Sequence, residues 1–104
     1  MNETVCAILP LTRWQGERGT YHLFTFSGAE AETLATHAAL HRLEFGRARG
    51  FGSVKLRAAI GDTRWNTSVF PQRQSSEWVL LVSKKVMKRE GLEVGESVEV
   101  TLSL

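Results

Sequence analysis

Apolar and polar residues alternate along most of this chain, and helical spacing interrupts that alternation only twice. From Thr4 to Leu11 (TVCAILPL), Val5, Ala7, Leu9 and Leu11 fall on one side at period two, which predicts a strand. Pro10 cannot donate a ladder hydrogen bond, so it belongs at the strand end or on an edge. Gln15 to Gly19 (QGERG) reads as a polar turn, and Thr20 to Phe26 (TYHLFTF) as a second strand rich in β-formers. Ser27 stands three residues before Glu30, the spacing of a capping box. The Ala-rich stretch that follows sets Ala31, Leu34 and Ala38 on one helical face, predicting a helix to about Leu43 with Gly46 as its stop.

The clearest pattern lies in the middle. Val54, Leu56, Ala58 and Ile60 alternate with Lys55, Arg57 and Ala59; after Gly61-Asp62, Thr63, Trp65, Thr67 and Val69 alternate with Arg64, Asn66 and Ser68. Gly61-Asp62 has the form of a two-residue hairpin turn. Pairing Ile60 with Thr63 then sets Ala58 against Trp65, Leu56 against Thr67 and Val54 against Val69, an apolar face. The other face carries Lys55, Arg57, Arg64, Asn66 and Ser68. A slip of one residue would bury the bases, so the register is well specified.

Pro71 to Ser76 reads as a loop, and Glu77 to Val82 (EWVLLV) as a strand buried on both sides or nearly so. Ser83 caps a short helix, Lys84 to Glu90, ended by Gly91. Val94-Gly95-Glu96 turns the chain into a last strand, Ser97 to Leu104, with Val98, Val100 and Leu102 inward. The order is β-β-α-β-β-β-α-β: mainly β with two helices, most economically packed as a small, partly open barrel over residues 1–104.

Composition narrows the function classes. Hydrophobic residues make up 42% and charged residues 23% of 104, enough apolar chain for one core, which argues against disorder. A single cysteine excludes an intramolecular disulfide and a multi-cysteine metal site. No apolar run is long enough to span a bilayer, and the acidic N-terminus is unlike a signal peptide, so a cytoplasmic protein is expected. Net charge is only +2, but residues 42–89 hold eleven Lys/Arg against three acids, whereas residues 90–104 hold four Glu and no base. A basic middle fits an anionic partner; the alternative is that the two blocks neutralise each other in the fold.

Three runs carry a family resemblance: Arg49-Gly50-Phe51-Gly52-Ser53-Val54, Ile60 to Pro71 (IGDTRWNTSVFP), and Gly91 to Leu102 (GLEVGESVEVTL). In order and spacing the chain resembles the bacterial domain-of-unknown-function family nineteen-oh-five. The resemblance implies a small double-split β-barrel, the fold class of AbrB-type transition-state regulators and MazE-type antitoxins. Some members are joined to a segment similar to bacteriocin-protection proteins. No activity comes with the resemblance, so it brings no catalytic residues. Leu81 stands where the family pattern has proline, Ser83 where a base is common, Asp62 where Gly is frequent and Asn66 where Arg or Lys is frequent. These departures lower the basic character of the face.

Candidate chemistry is sparse. His37 and His41 are spaced i, i+4, within reach of one metal, but a third ligand and the glutamate of a zincin motif are missing, so neither a metal nor a cofactor is expected. Cys6, in an apolar strand, is expected to be buried and structural. Gly46 to Gly52 (GRARGFG) is a glycine-rich loop whose two arginines could hold an anion, although it is no Walker motif. The leading expectation is a non-enzymatic binding module in which Arg49, Lys55, Arg57, Arg64 and Lys84 contact an anionic partner, nucleic acid first. A second is a ligand pocket or enzyme at the barrel mouth, edged by Phe51, Trp65, Ser68 and Phe70 with Lys84. A third is an accessory domain that binds another protein.

Overall fold

A computed structural model describes residues 3–45 and 52–104. Its elements, in chain order, are β1 (Thr4–Pro10), β2 (Thr12–Gly16), β3 (Gly19–Phe26), α1 (Gly28–Phe45), β4 (Val54–Ile60), β5 (Thr63–Pro71), β6 (Trp78–Val82), α2 (Lys84–Glu90) and β7 (Ser97–Ser103). The strands form one antiparallel sheet in the order β1-β7-β4-β5-β6-β3-β2. The sheet curls into a half-barrel until β1 and β3, far apart in that order, touch. The protein is thus mainly β with two helices, as the alternation predicts.

The order of elements needs one correction, since β2 is a strand that the periodicity misses. Thr12, Arg13, Trp14 and Gln15 are all exposed, so β2 has no buried face to give a period-two signal. It forms by pairing with β3, from Thr12 opposite Leu23 to Gly16 opposite Gly19, and Thr12 Oγ1 donates to the Leu23 carbonyl at 3.1 Å.

The central hairpin has the expected register throughout: Ile60 opposite Thr63, Ala58 opposite Trp65, Leu56 opposite Thr67, Val54 opposite Val69. Gly61 turns the chain with φ +56°, a left-handed conformation that a side chain disfavours. A Cβ there would also meet the Glu90 carboxylate, which would have to swing aside. Glu90 in turn accepts a 2.6 Å hydrogen bond from Thr63 Oγ1, which satisfies the hydroxyl of the buried Thr63 and ties the end of α2 to the hairpin.

One apolar cluster fills the concave side. Val5 and Ala7, Phe24 and Phe26, Val54 to Ile60 in alternation, Val69, Trp78, Leu80 and Val82, and Val98, Val100 and Leu102 all contribute. Both helices contribute to this same cluster, α1 through Ala31 and Leu34, α2 through Val86. Leu11, fully buried just after β1, is held by backbone bonds on both sides: its N–H donates to Glu96 and its carbonyl accepts from Gly95. α2 is capped as expected, with Ser83 Oγ accepting from Val86 N–H and Gly91 closing the C-terminus in the left-handed region.

Two further expectations are corrected. Ser27 does not close a capping box: Gly28 has φ +61°, and no hydrogen bond joins the Ser27 hydroxyl to α1. β6 is covered on one side only. Trp78, Leu80 and Val82 are buried, but Val79 is half-buried and Leu81 is 41% exposed, because both helices pack on the opposite side of the sheet. The proposed helix stop at Gly46 lies outside the described residues.

Leu34 and Leu43 test the orientation of α1, since the first is fully buried and the second is 82% exposed. Leu34→Ala should cost about 2–5 kcal/mol and Leu43→Ala less than about 0.5 kcal/mol, read from denaturant midpoints. Gly61→Ala should cost about 1–2 kcal/mol from its backbone conformation alone.

Candidate binding face

Alternation along each strand gives the sheet two faces, and the outward one is bare of helices. On β4 it presents Lys55 and Arg57, and on β5 Arg64, Asn66, Ser68 and Phe70. Lys55, Arg57, Arg64 and Asn66 are exposed, while Ser68 and Phe70 are half-buried. The ladder sets Arg57 opposite Asn66, Lys55 opposite Ser68 and Ala59 opposite Arg64. Arg57 and Arg64 therefore sit diagonally on neighbouring strands of one face, within reach of a single ligand. Arg57 Nε donates to Asn66 Oδ1 at a long 3.5 Å, a neutral partner that leaves the guanidinium charge uncompensated.

The C-terminal glutamates do not neutralise this face. Glu99, the glutamate within β7, pairs with Ile8 of β1, whereas β7 meets β4 through Thr101 and Ser103. Glu90 is engaged by Thr63. Among the described residues, Lys55, Arg57, Arg64 and Lys84 make no ion pair.

Continuing across the sheet, the same face turns apolar. Val79 and Leu81 of β6, Leu23 and Thr25 of β3, and the aromatic pair Trp14 and Tyr21 follow in turn. They line a groove of about 960 Å³ beside the 72–77 loop, bordered by Arg13 and Arg73. Trp14 is 58% exposed, and its ring lies 5.8 Å from that of Tyr21 at 31°. Gly16 lets the ring settle there, for a Cβ at that position would collide with it.

The other predicted residues are scattered. Lys84 lies at the start of α2, in a shallow depression with His22, Lys88 and Met87, so it does not join the Lys55–Arg57–Arg64 set. Trp65 packs against the core while Ser68 and Phe70 face outward, so these three do not converge on a barrel-mouth pocket. Arg49 and Phe51 lie outside the described residues. His37 and His41 do share a cavity of about 190 Å³ between α1 and the start of β4. Its other ionisable neighbours are Arg42 and Lys55, which repel a metal cation, and no group of three metal-ligating side chains occurs among the described residues.

Cys6 is the clearest correction at the level of single residues. It is exposed, not buried: Val5 and Ala7 point inward, so Cys6 must point out, where Thr101 Oγ1 donates to its Sγ at 3.7 Å. The aromatic groove was not expected. Its one sequence signal is the placement of Trp14 and Tyr21 at equal distances from the Glu17-Arg18 turn.

The family described as Domain of unknown function (DUF1905) matches residues 10–102, and the chain belongs to it. No curated protein and no solved structure matches. No helix among the described residues is long and apolar enough to cross a membrane.

In the folded protein Cys6 should react with a bulky aromatic disulfide reagent rapidly and stoichiometrically. A thiol that reacts only after denaturant is added would place Cys6 inside.

Proposed function

We propose that this DUF1905 protein is a non-enzymatic binding module that holds an anionic partner, nucleic acid foremost, on the outward face of its sheet. One observation carries the reading: Lys55, Arg57 and Arg64 project from the same side of one hairpin, exposed and without a carboxylate partner among the described residues. Three cations held at fixed strand spacings on a rigid ladder suit a repeating phosphate backbone, whose binding gains free energy by releasing counterions. Asn66, Ser68 and Ser103, on the same face, add neutral hydrogen-bonding groups for phosphate and sugar. The AbrB-type fold class that the family resemblance implies, one that includes DNA-binding proteins, favours the reading by analogy alone. A bacterial cytoplasm, where nucleic acid is abundant and the exposed Cys6 stays reduced, is the setting that goes with it.

Anisotropy of a labelled oligonucleotide, titrated at about 50 and about 200 mM salt, tests this. The affinity should fall steeply between the two. The K55Q/R57Q/R64Q variant should flatten the dependence of log K on log salt by about one unit for each lost contact. Absence of any salt-sensitive complex at low salt would remove the reading.

A further inference from the structure

The groove and the cationic hairpin are parts of one surface. Lys55 faces Ser68, Leu81 faces Leu23, and Leu23 faces Thr12. Ser68 and Leu81 are the next residues along the ladder from the Val69–Leu80 pair. One row of outward side chains therefore crosses five strands from β4 to β2. At about 4.8 Å per strand, four steps carry it about 19 Å around the curve of the sheet. Its cationic end holds Lys55 and Arg57. Its far end runs into Tyr21 and Trp14, with Arg13 and Arg73 at the border of the groove.

We infer that this surface is built for single-stranded nucleic acid, with bases stacked on Trp14 and Tyr21 and the backbone led over Arg57 and Lys55. The inference rests on the anionic-partner reading above and deepens it. Three large apolar side chains, Trp14, Tyr21 and Leu81, stand exposed in one groove, a cost that a purely structural surface would avoid. Planar rings beside arginines match the two halves of a nucleotide, since every base has a face that stacks and every phosphate a charge. The acid that lines the groove, Glu77, is partly engaged by the Ser75 hydroxyl at 3.3 Å, which blunts its repulsion of phosphate. Curvature selects the strand state. A duplex is stiff over tens of base pairs and would touch an outward-curving sheet only along a short arc. A single strand can follow the curve and turn its bases onto the rings.

The test compares an oligothymidylate of about 12 nucleotides with a mixed-sequence DNA hairpin of similar length at low salt. Binding is read by anisotropy of the labelled DNA, and also by tryptophan emission, because Trp78 is buried and Trp65 half-buried while Trp14 is open. The single strand should bind at least about fivefold more tightly than the duplex and quench emission. Trp14→Ala should remove that preference and leave duplex binding unchanged, while Trp14→Phe should keep most of it. Thermal melting shows that each variant is folded. Unchanged single-strand binding in Trp14→Ala would overturn the inference. So would a concentration-dependent dimer that Trp14→Ala dissolves, since the groove would then serve a second copy. If both DNA forms bind equally and K55Q/R57Q/R64Q alone weakens them, the anionic-partner reading stands and this one falls. If neither form binds the wild-type protein, both fall.

Discussion

A shift of one residue between β4 and β5 would turn Val54, Leu56, Ala58 and Ile60 to water and carry Lys55 and Arg57 into the apolar interior. Each unpaired charge so buried would cost several kcal/mol, and the apolar cluster would lose its central wall. The observed register avoids this because Gly61 accepts a left-handed turn that places Ile60 opposite Thr63. The Thr63–Glu90 hydrogen bond and the Glu90 carboxylate packed over Gly61 secure the same reversal from outside the hairpin. β7 pairs along the outer side of β4 and β6 along that of β5, so neighbouring strands take their facing from this hairpin.

Sorting by face then decides where the helices go and what is left for a partner. A half-barrel of this size needs its concave side filled, and Ala31 and Leu34 of α1 and Val86 of α2 do so. The large apolar residues left over on α1, Leu40 and Leu43, are themselves exposed and do not cover the convex side. Among the described residues that side is left uncovered from β4 to β2, cationic over β4 and β5, aromatic and apolar over β6, β3 and β2. The fold thus separates stability from recognition: the residues that hold it together and those offered for contact alternate along the same strands.

Period-two alternation makes most of this legible in the sequence. The β4–β5 register, the Ser83 and Gly91 caps and the inward set of β7 follow from residue spacing and the conformational preferences of Ser and Gly. β2 stayed hidden because an edge strand with no buried face shows no hydrophobic period. With it went the groove, which needs Trp14 on β2 and Leu81 on β6, far apart in the chain and joined only through β3. The outward position of Cys6 is legible too, for the alternation that buries Val5 and Ala7 turns it to solvent, against the usual burial of a lone cysteine. The capping box at Ser27 shows the limit of local motifs: the spacing to Glu30 is right, but the left-handed Gly28 between them alters the entry to the helix.

Residue-resolved chemical shifts of the isotopically labelled protein, followed during titration with a short oligothymidylate, address the outward face most directly. Perturbations should concentrate at Lys55, Arg57, Arg64, Asn66 and the Trp14 indole, leaving the amides around Val100 and Leu102 in place. Perturbations centred instead on the His37–His41 cavity, or none at saturating oligonucleotide, would show that the convex side of the sheet is not where this protein meets its partner.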